Sequence, residues 1–164
     1  MATEKRSLRH LPSDMFLPAE SARWAAWLEW LDRTLANDQD ATNALSPETV
    51  LQLLRKYLEG QGLPSNPEYG VWCRRALDVL GVKCRVSDGN GAGGLFYMET
   101  ERLLAGDRER PVVSVARHST RGRRRWTLAH ELGHVVLCSL LTSPAVPDEF
   151  RQVYGYFDLK SGAF

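Results

Sequence analysis

Apolar residues recur every three or four positions in several stretches of the chain, and this spacing predicts amphipathic helices. The first stretch begins at Pro18 and continues to about Ala36. Three indoles follow one side of it and are expected to pack on the body of the domain, with a partner-docking surface as the alternative: Trp24, Trp27 and Trp30. In the second stretch, Ser46 caps a helix that starts with Pro47 and ends at Gly60.

A third helical stretch starts near Pro67 and ends at Gly81, because proline suits a first helical turn and glycine suits a helix end. Residues 82–87 alternate between apolar and polar and predict a strand. The Gly-rich segment 88–94 predicts a flexible turn, and residues 95–98 are then expected to form the returning strand of a hairpin.

Residues 102–110 are mostly charged and predict a loop, whereas the apolar run 111–116 predicts a third strand that passes beside the functional site. Together these elements predict an α+β fold with N-terminal helices, a small three-stranded antiparallel or mixed sheet, a buried helix and a short C-terminal helix. The expected division is a mobile tail at 1–17, a helical segment at 18–60 and a main domain at 61–164.

The buried helix is predicted from residues 126–137, which hold a His-Glu-x-x-His motif in an apolar run. His130 and His134 are four residues apart and therefore share one helix face, and Glu131 lies only about 60° from His134 around the axis. Unpaired polar groups in apolar surroundings cost roughly 2–7 kcal/mol, so this face indicates a metal site. The alternative is a surface helix whose polar residues have no such role.

Zinc in hydrolases takes three protein ligands and keeps one position for water. His130 and His134 are the expected imidazole ligands. Glu131 lies too far round the helix to join them, but it can reach a bound water and act as general base. The motif therefore predicts a Zn²⁺-dependent peptidase.

Residues 124–137, Arg-Arg-Trp-Thr-Leu-Ala-His-Glu-Leu-Gly-His-Val-Val-Leu, resemble the signature of the ImmA/IrrE family of zinc metallopeptidases. The apolar strand at 111–115 and the residues 95–97 after the Gly-rich turn fit the same family. The resemblance implies a zinc-dependent endopeptidase that cuts a specific protein. Members of this family cut helix-turn-helix transcriptional repressors, which switches on genes of a stress response or of element transfer.

The resemblance also implies a third metal ligand, a glutamate on the helix after the motif. Glu149 is the expected residue, with Asp148 and Asp158 as alternatives, although acids at 148 and 149 also suit the first turn of a helix. Cys138 stands where the family often has histidine. It lies about 12 Å along the helix from His130, too far for a shared zinc ion, so we interpret it as a packed thiol.

The composition is that of a soluble globular protein, with 43% hydrophobic and 25% charged residues and a net charge of +1. This balance argues against direct nucleic-acid binding, although the basic run 117–125 keeps a DNA-binding protein as an alternative. The three cysteines have no Cys-x-x-Cys spacing and no stretch is long enough to cross a membrane, so we expect a cytoplasmic protein. A catalytically incomplete, metallopeptidase-like module that binds a regulatory partner is the other alternative.

Overall fold

A computed structural model of the chain describes residues 20–63, 69–88, 93–103, 106–117 and 120–154. The elements, in chain order, are α1 (Glu20–Asn37), α2 (Gln39–Asn43), α3 (Pro47–Gly60), α4 (Tyr69–Val79), β1 (Lys83–Ser87), β2 (Gly94–Leu103), β3 (Gly106–Ala116), α5 (Arg121–Thr142) and α6 (Asp148–Tyr154). This architecture confirms the predicted α+β class, including the short C-terminal helix. The expected tail at 1–17 lies outside the described residues, and the division into domains remains a prediction.

The three strands form a mixed sheet in the order β1-β3-β2. The central strand β3 runs parallel to β1 and antiparallel to β2, with Val113 opposite Cys84 on one side and opposite Phe96 on the other. The hairpin therefore joins β2 to β3, and the expected hairpin between the first two strands was wrong. The physical reason is burial: Val112 and Val113 on β3 are fully shielded from solvent, and a strand with both faces covered belongs in the centre of a sheet.

The expected charged loop at 102–110 was also wrong, because β2 continues to Leu103 and β3 begins at Gly106. The charges are accommodated by pairing across strands: Arg110 on β3 contacts Glu99 on β2 at 3.1 Å. Arg85 on β1 reaches the same carboxylate at 2.7 Å. Cross-strand pairs of opposite charge stabilise a ladder, so a charged sequence can extend a strand beyond its apolar part.

The N-terminal helix packs on the same core as the helix that carries the motif. Trp24 and Trp27 are buried, and Trp27 is completely shielded from solvent. The Trp27 Nε1–H donates to Ser139 Oγ on α5 at 2.7 Å, and its ring meets Tyr57 of α3 at a centroid distance of 4.9 Å. The predicted packing role of these two indoles is therefore confirmed, and the contacts connect α1, α3 and α5 directly.

Helix α5 begins where Thr120 caps it, with the Thr120 hydroxyl accepting from the Arg123 N–H at 3.3 Å. The basic residues from 121 onward therefore lie on the helix. Its core face holds Leu132, Val135, Val136 and Leu140. Other positions are open, so the helix is not buried nearly all round as its apolar run predicted: Trp126, His130 and Gly133 are exposed. None of the helices in the described part is long and apolar enough to cross a membrane.

Candidate metal centre

His130 and His134 meet on the open side of α5. Their Nε2 atoms are 2.9 Å apart and the two rings stand nearly perpendicular, with a centroid distance of 4.5 Å. Two imidazole nitrogens bound to one tetrahedral zinc ion at about 2.0–2.1 Å are about 3.3 Å apart, so a small ring rotation would accommodate an ion. The structure thus brings together the two histidines that the motif singled out.

The surroundings of the histidine pair favour the neutral, metal-binding form of the inner ring. Partial burial and the neighbouring His130 lower the pKa of His134, which keeps a nitrogen lone pair available near neutral pH. On the outer side, the indole of Trp126 stacks on His130 with an interplanar angle of 14° and a centroid distance of 5.0 Å. This stacking restricts the orientation of the outer ring.

Glu131 occupies a different environment from the histidines. Glu131 is only 6% exposed, and burial raises the pKa of its carboxyl. The nearby His130 offsets part of this increase. It lies beneath the start of β2, where a Cβ placed on Gly94 would come within 2.8 Å of Glu131 Oε1. The absence of a side chain at Gly94 therefore allows a buried carboxylate to lie beside the histidine pair.

Thr127 and Gly94 are site residues that the sequence did not reveal. Thr127 lies one turn before Glu131 on the same row of α5, and its Cγ2 would be 2.3 Å from a Cβ on Gly94. The spacing of four residues could have indicated Thr127. The contact between Gly94 and α5 could not be read from the sequence, because it joins positions more than thirty residues apart in the chain.

Strand β2 forms the edge of the sheet, and β3, which was expected to pass beside the site, occupies the centre of the sheet and also contacts α5. Gly94, the first residue of β2, packs directly on α5. On the side away from β3, the edge of β2 has no strand partner within the described residues. This edge therefore has backbone N–H and C=O groups that an additional strand could pair with.

Of the acidic residues proposed as a third ligand, the structure describes Glu149 and Asp148, and neither forms a metal-binding group with the histidines. Glu149 is exposed in the first turn of α6, and Asp148 beside it pairs with Arg151 at 3.2 Å. Asp158 lies outside the described residues. Across the ranges that the structure describes, no three His, Cys, Asp or Glu side chains form a group that could hold a metal ion. The assignment of Glu149 stays a prediction.

Cys138, the other residue near the motif, is buried among apolar side chains, and burial raises the pKa of its thiol to about 11. A thiol in this state is a poor metal ligand because the thiolate is the form that binds. This environment fits the interpretation of Cys138 as a packed thiol.

An apolar cavity of about 380 Å³ flanks α5 on the side of Gly133. Helices α3, α4 and α6 complete its walls, with Leu54, Trp72 and Phe150 among the lining residues. The cavity could not be predicted from the sequence, because its walls come from four separate helices.

Comparison with protein families identifies the part of the chain that contains this site. Residues 78–154 match the model of the IrrE N-terminal-like domain, a metallopeptidase family designated M78. No curated protein and no solved structure matches the chain. The matched segment runs from the end of α4 to the end of α6 and includes His130, Glu131, His134 and Glu149. The family whose model matches residues 78–154 is thus the one that the motif in α5 resembles.

Proposed function

We propose that this protein is a zinc-dependent endopeptidase that cleaves a specific protein. The observation that supports this proposal best is the pair of Nε2 atoms of His130 and His134, 2.9 Å apart on the open side of α5, with the buried Glu131 next to them. Two nitrogen donors fit the preference of Zn²⁺ for imidazole ligands. In this proposal Glu149, exposed in the first turn of α6, is the third ligand.

In the proposed mechanism, His130 and His134 hold the ion, which when bound supplies Lewis-acid activation of water and of the scissile carbonyl. Glu131 takes a proton from the attacking water on its carboxylate and passes it to the leaving amine. The raised pKa of Glu131 makes its carboxylate a stronger base than an exposed one, which suits this role. Trp126 limits rotation of His130, so the ligand geometry is partly formed before binding.

The proposed substrate is an extended peptide segment. Strand β2 forms the edge of the described sheet, its first residue Gly94 packs on Glu131, and a peptide can add to such an edge through backbone hydrogen bonds. A folded substrate would need to present an exposed or unfolded segment there. A helix-turn-helix repressor involved in a stress response is our specific candidate, and it rests on the family resemblance alone. The three cysteines, all free thiols, agree with a cytoplasmic location.

Elemental analysis of zinc combined with a peptidase assay tests the proposal. The wild type should bind about one zinc per chain, and His134→Ala should bind none. Glu131→Gln should keep the zinc and lose about 10²–10⁴-fold in cleavage rate, the usual contribution of a general base. A wild-type protein that binds no zinc at micromolar concentrations would contradict the proposal.

A pair of matched variants tests the third ligand. Glu149 and Glu48 are both exposed acids in the first turn of a helix, of α6 and α3 respectively. Glu149→Gln should weaken zinc binding, whereas Glu48→Gln should leave it unchanged. Equal zinc affinity in the two variants would exclude Glu149 as a ligand.

A catalytically incomplete binding module is the second candidate function. It is favoured by one observation: within the described residues no third His, Cys, Asp or Glu side chain joins the two histidines in a group that could hold a metal ion. Such a module would bind its partner protein equally well in the wild type and in the Glu131→Gln variant and would cleave it in neither. The same peptidase assay therefore separates the two functions.

A further inference from the structure

Four arginines crowd the first turns of α5: Arg121, Arg123, Arg124 and Arg125. None of them forms an ion pair with a described residue, whereas Arg85, Arg110, Arg117 and Arg151 elsewhere in the protein all do. Cations at the start of a helix oppose its dipole, so they do not stabilise α5. An unpaired cluster that does not stabilise its own helix suggests a role in binding.

Only one of the four arginines lies in line with the proposed metal site. At about 100° per residue, Arg123 falls about 20° from His130 and from His134 around the axis of α5, whereas Arg121 points about 180° away from His130. Arg123 also reaches the residue just before β2, because its Nε would be 3.8 Å from a Cβ placed on Gly93. It therefore lies where α5 meets the residue that precedes β2.

The distance along α5 between Arg123 and the histidine pair determines which residue of a bound peptide would lie beside Arg123. Arg123 precedes His130 by seven residues and His134 by eleven, which is about 10–17 Å along an α-helix. An extended peptide advances about 3.3 Å per residue. A peptide whose scissile carbonyl lies at the histidine pair would thus place a residue three to five positions away beside Arg123.

We propose that Arg123 determines substrate specificity by binding an acidic side chain of the peptide, three to five residues from the scissile bond. The proposal rests on the peptidase function argued above. A guanidinium presents a planar fork of N–H donors that matches a carboxylate, and no carboxylate within the described residues occupies it. The substrate class is therefore an extended protein segment with an Asp or Glu at that spacing.

The test uses the full chain and a set of labelled neutral decapeptides in which one Glu is placed at each position in turn. Binding is measured by fluorescence anisotropy in the Glu131→Gln background, so that cleavage does not interfere. Peptides with Glu at the favoured position should bind about 10-fold more tightly than the all-neutral peptide. This factor corresponds to the usual contribution of one hydrogen bond to a charged group. Arg123→Gln should abolish this preference.

Arg121→Gln is the matched control, because it removes the same charge from the same end of α5 on the opposite face. It should keep the preference for the acidic peptide. If Arg121→Gln and Arg123→Gln weaken binding equally, or if the preference survives Arg123→Gln, the proposal is wrong. Tighter binding of a single-stranded oligonucleotide, with equal dependence on all four arginines, would also overturn it and assign the cluster to nucleic acid.

Cleavage by the zinc-loaded wild type distinguishes this inference from the peptidase function. Mass spectrometry of the products should place the scissile bond three to five residues from the Glu. If no peptide is cleaved, the peptidase proposal fails, while the anisotropy series still decides whether Arg123 selects an acidic ligand. If peptides are cleaved without regard to the Glu, the function stands and the role of Arg123 is refuted.

Discussion

Gly94 lies where any side chain would collide with α5. A Cβ at this position would be 2.3 Å from Thr127 Cγ2 and 2.8 Å from Glu131 Oε1, and both distances are shorter than side-chain contacts normally allow. The strand and the helix can approach each other only because this residue is glycine. The position of the proposed general base therefore depends on a residue from another element.

Replacing Gly94 by alanine should impair catalysis more than metal binding. The new methyl group should push the carboxylate of Glu131 away, and a displacement of about 1 Å can reduce a reaction rate about 10²-fold. The histidines lie on the neighbouring row of α5, so zinc content should remain close to that of the wild type. Cleavage rates at equal zinc occupancy measure the effect, and a fully active Gly94→Ala variant would contradict it.

Gly133→Ala is the matched substitution at an open position. A Cβ at Gly133 would have no atom within 4 Å outside its own helix backbone, and its φ is not positive. Alanine there should raise the free energy of unfolding by about 0.5–1 kcal/mol because glycine is unfavourable inside a helix. Gly94→Ala should lower the free energy of unfolding instead, because its methyl group would collide with Thr127, so denaturant unfolding of the two variants should give effects of opposite sign.

At the level of elements, Glu99 joins all three strands of the sheet. Its carboxylate contacts Arg85 of β1 at 2.7 Å and Arg110 of β3 at 3.1 Å, and Arg110 also pairs with Glu20 of α1. The hydrogen bond from Arg85 is the main cause that lowers the pKa of Glu99. This network explains how β2 and β3 extend through a charged sequence.

Glu99→Gln should make the stability of the fold less dependent on pH. Since the pKa of Glu99 is lowered in the folded protein, its ionised form stabilises the fold above the ordinary pKa of a glutamate, and this contribution disappears as the pH falls through the lowered value. The variant should be less stable than the wild type at pH 7 and equal to it at strongly acidic pH. Thermal unfolding across this range measures the difference.

Glu109→Gln provides the comparison on the same sheet. Glu109 is an exposed residue of β3, and no described residue forms an ion pair with it. Its replacement should leave the pH dependence of stability unchanged. If the two variants behave alike, the carboxylate of Glu99 has no special role in the sheet.

Helix α5 begins with cations that its dipole disfavours. Arg121→Glu should therefore raise the free energy of unfolding by about 0.3–1 kcal/mol, the usual effect of placing an acid at a helix start. Arg55 lies inside α3, away from its start, and is exposed without an ion-pair partner among the described residues, so Arg55→Glu should bring no such gain. Urea unfolding at low salt measures the free energy of unfolding of both variants. A loss of stability in Arg121→Glu would refute the prediction that the helix dipole disfavours Arg121.

At the scale of the whole molecule, one apolar core includes residues of α1, α3, α4, the sheet and α5. The hydrogen bond from Trp27 Nε1 to Ser139 Oγ is buried and joins positions 112 residues apart. The helix that holds the proposed metal ligands is thus supported from behind by the N-terminal helix. This explains why residues outside the matched family segment matter for the site.

Ser139→Ala should cost about 1–3 kcal/mol, because it leaves the buried Trp27 N–H without an acceptor. Thr142→Ala is the control, because the Thr142 hydroxyl donates to carbonyl groups of its own helix. It should change the free energy of unfolding by less than about 0.5 kcal/mol. Circular dichroism and tryptophan fluorescence should report one unfolding transition in both variants. Separate transitions for α1 and α5 would contradict a shared core.

The sequence determined the helices other than α2, the position of the motif and the α+β class, because these follow from local periodicity and capping. Ser46 caps α3 as predicted, with its hydroxyl accepting from the Thr49 N–H at 3.2 Å. His130 and His134 share a face because their spacing matches one turn of a helix. Such features depend on residues a few positions apart, so they can be read without the fold.

Only the tertiary structure decided the sheet order and the surroundings of the site. The central place of β3 follows from burial on both faces, which depends on helices far away in the chain. The contact of Gly94 with Glu131 and that of Gly93 with Arg123 required the start of β2 and α5 to meet. These relations arise from packing between distant segments, which no local pattern of residues specifies.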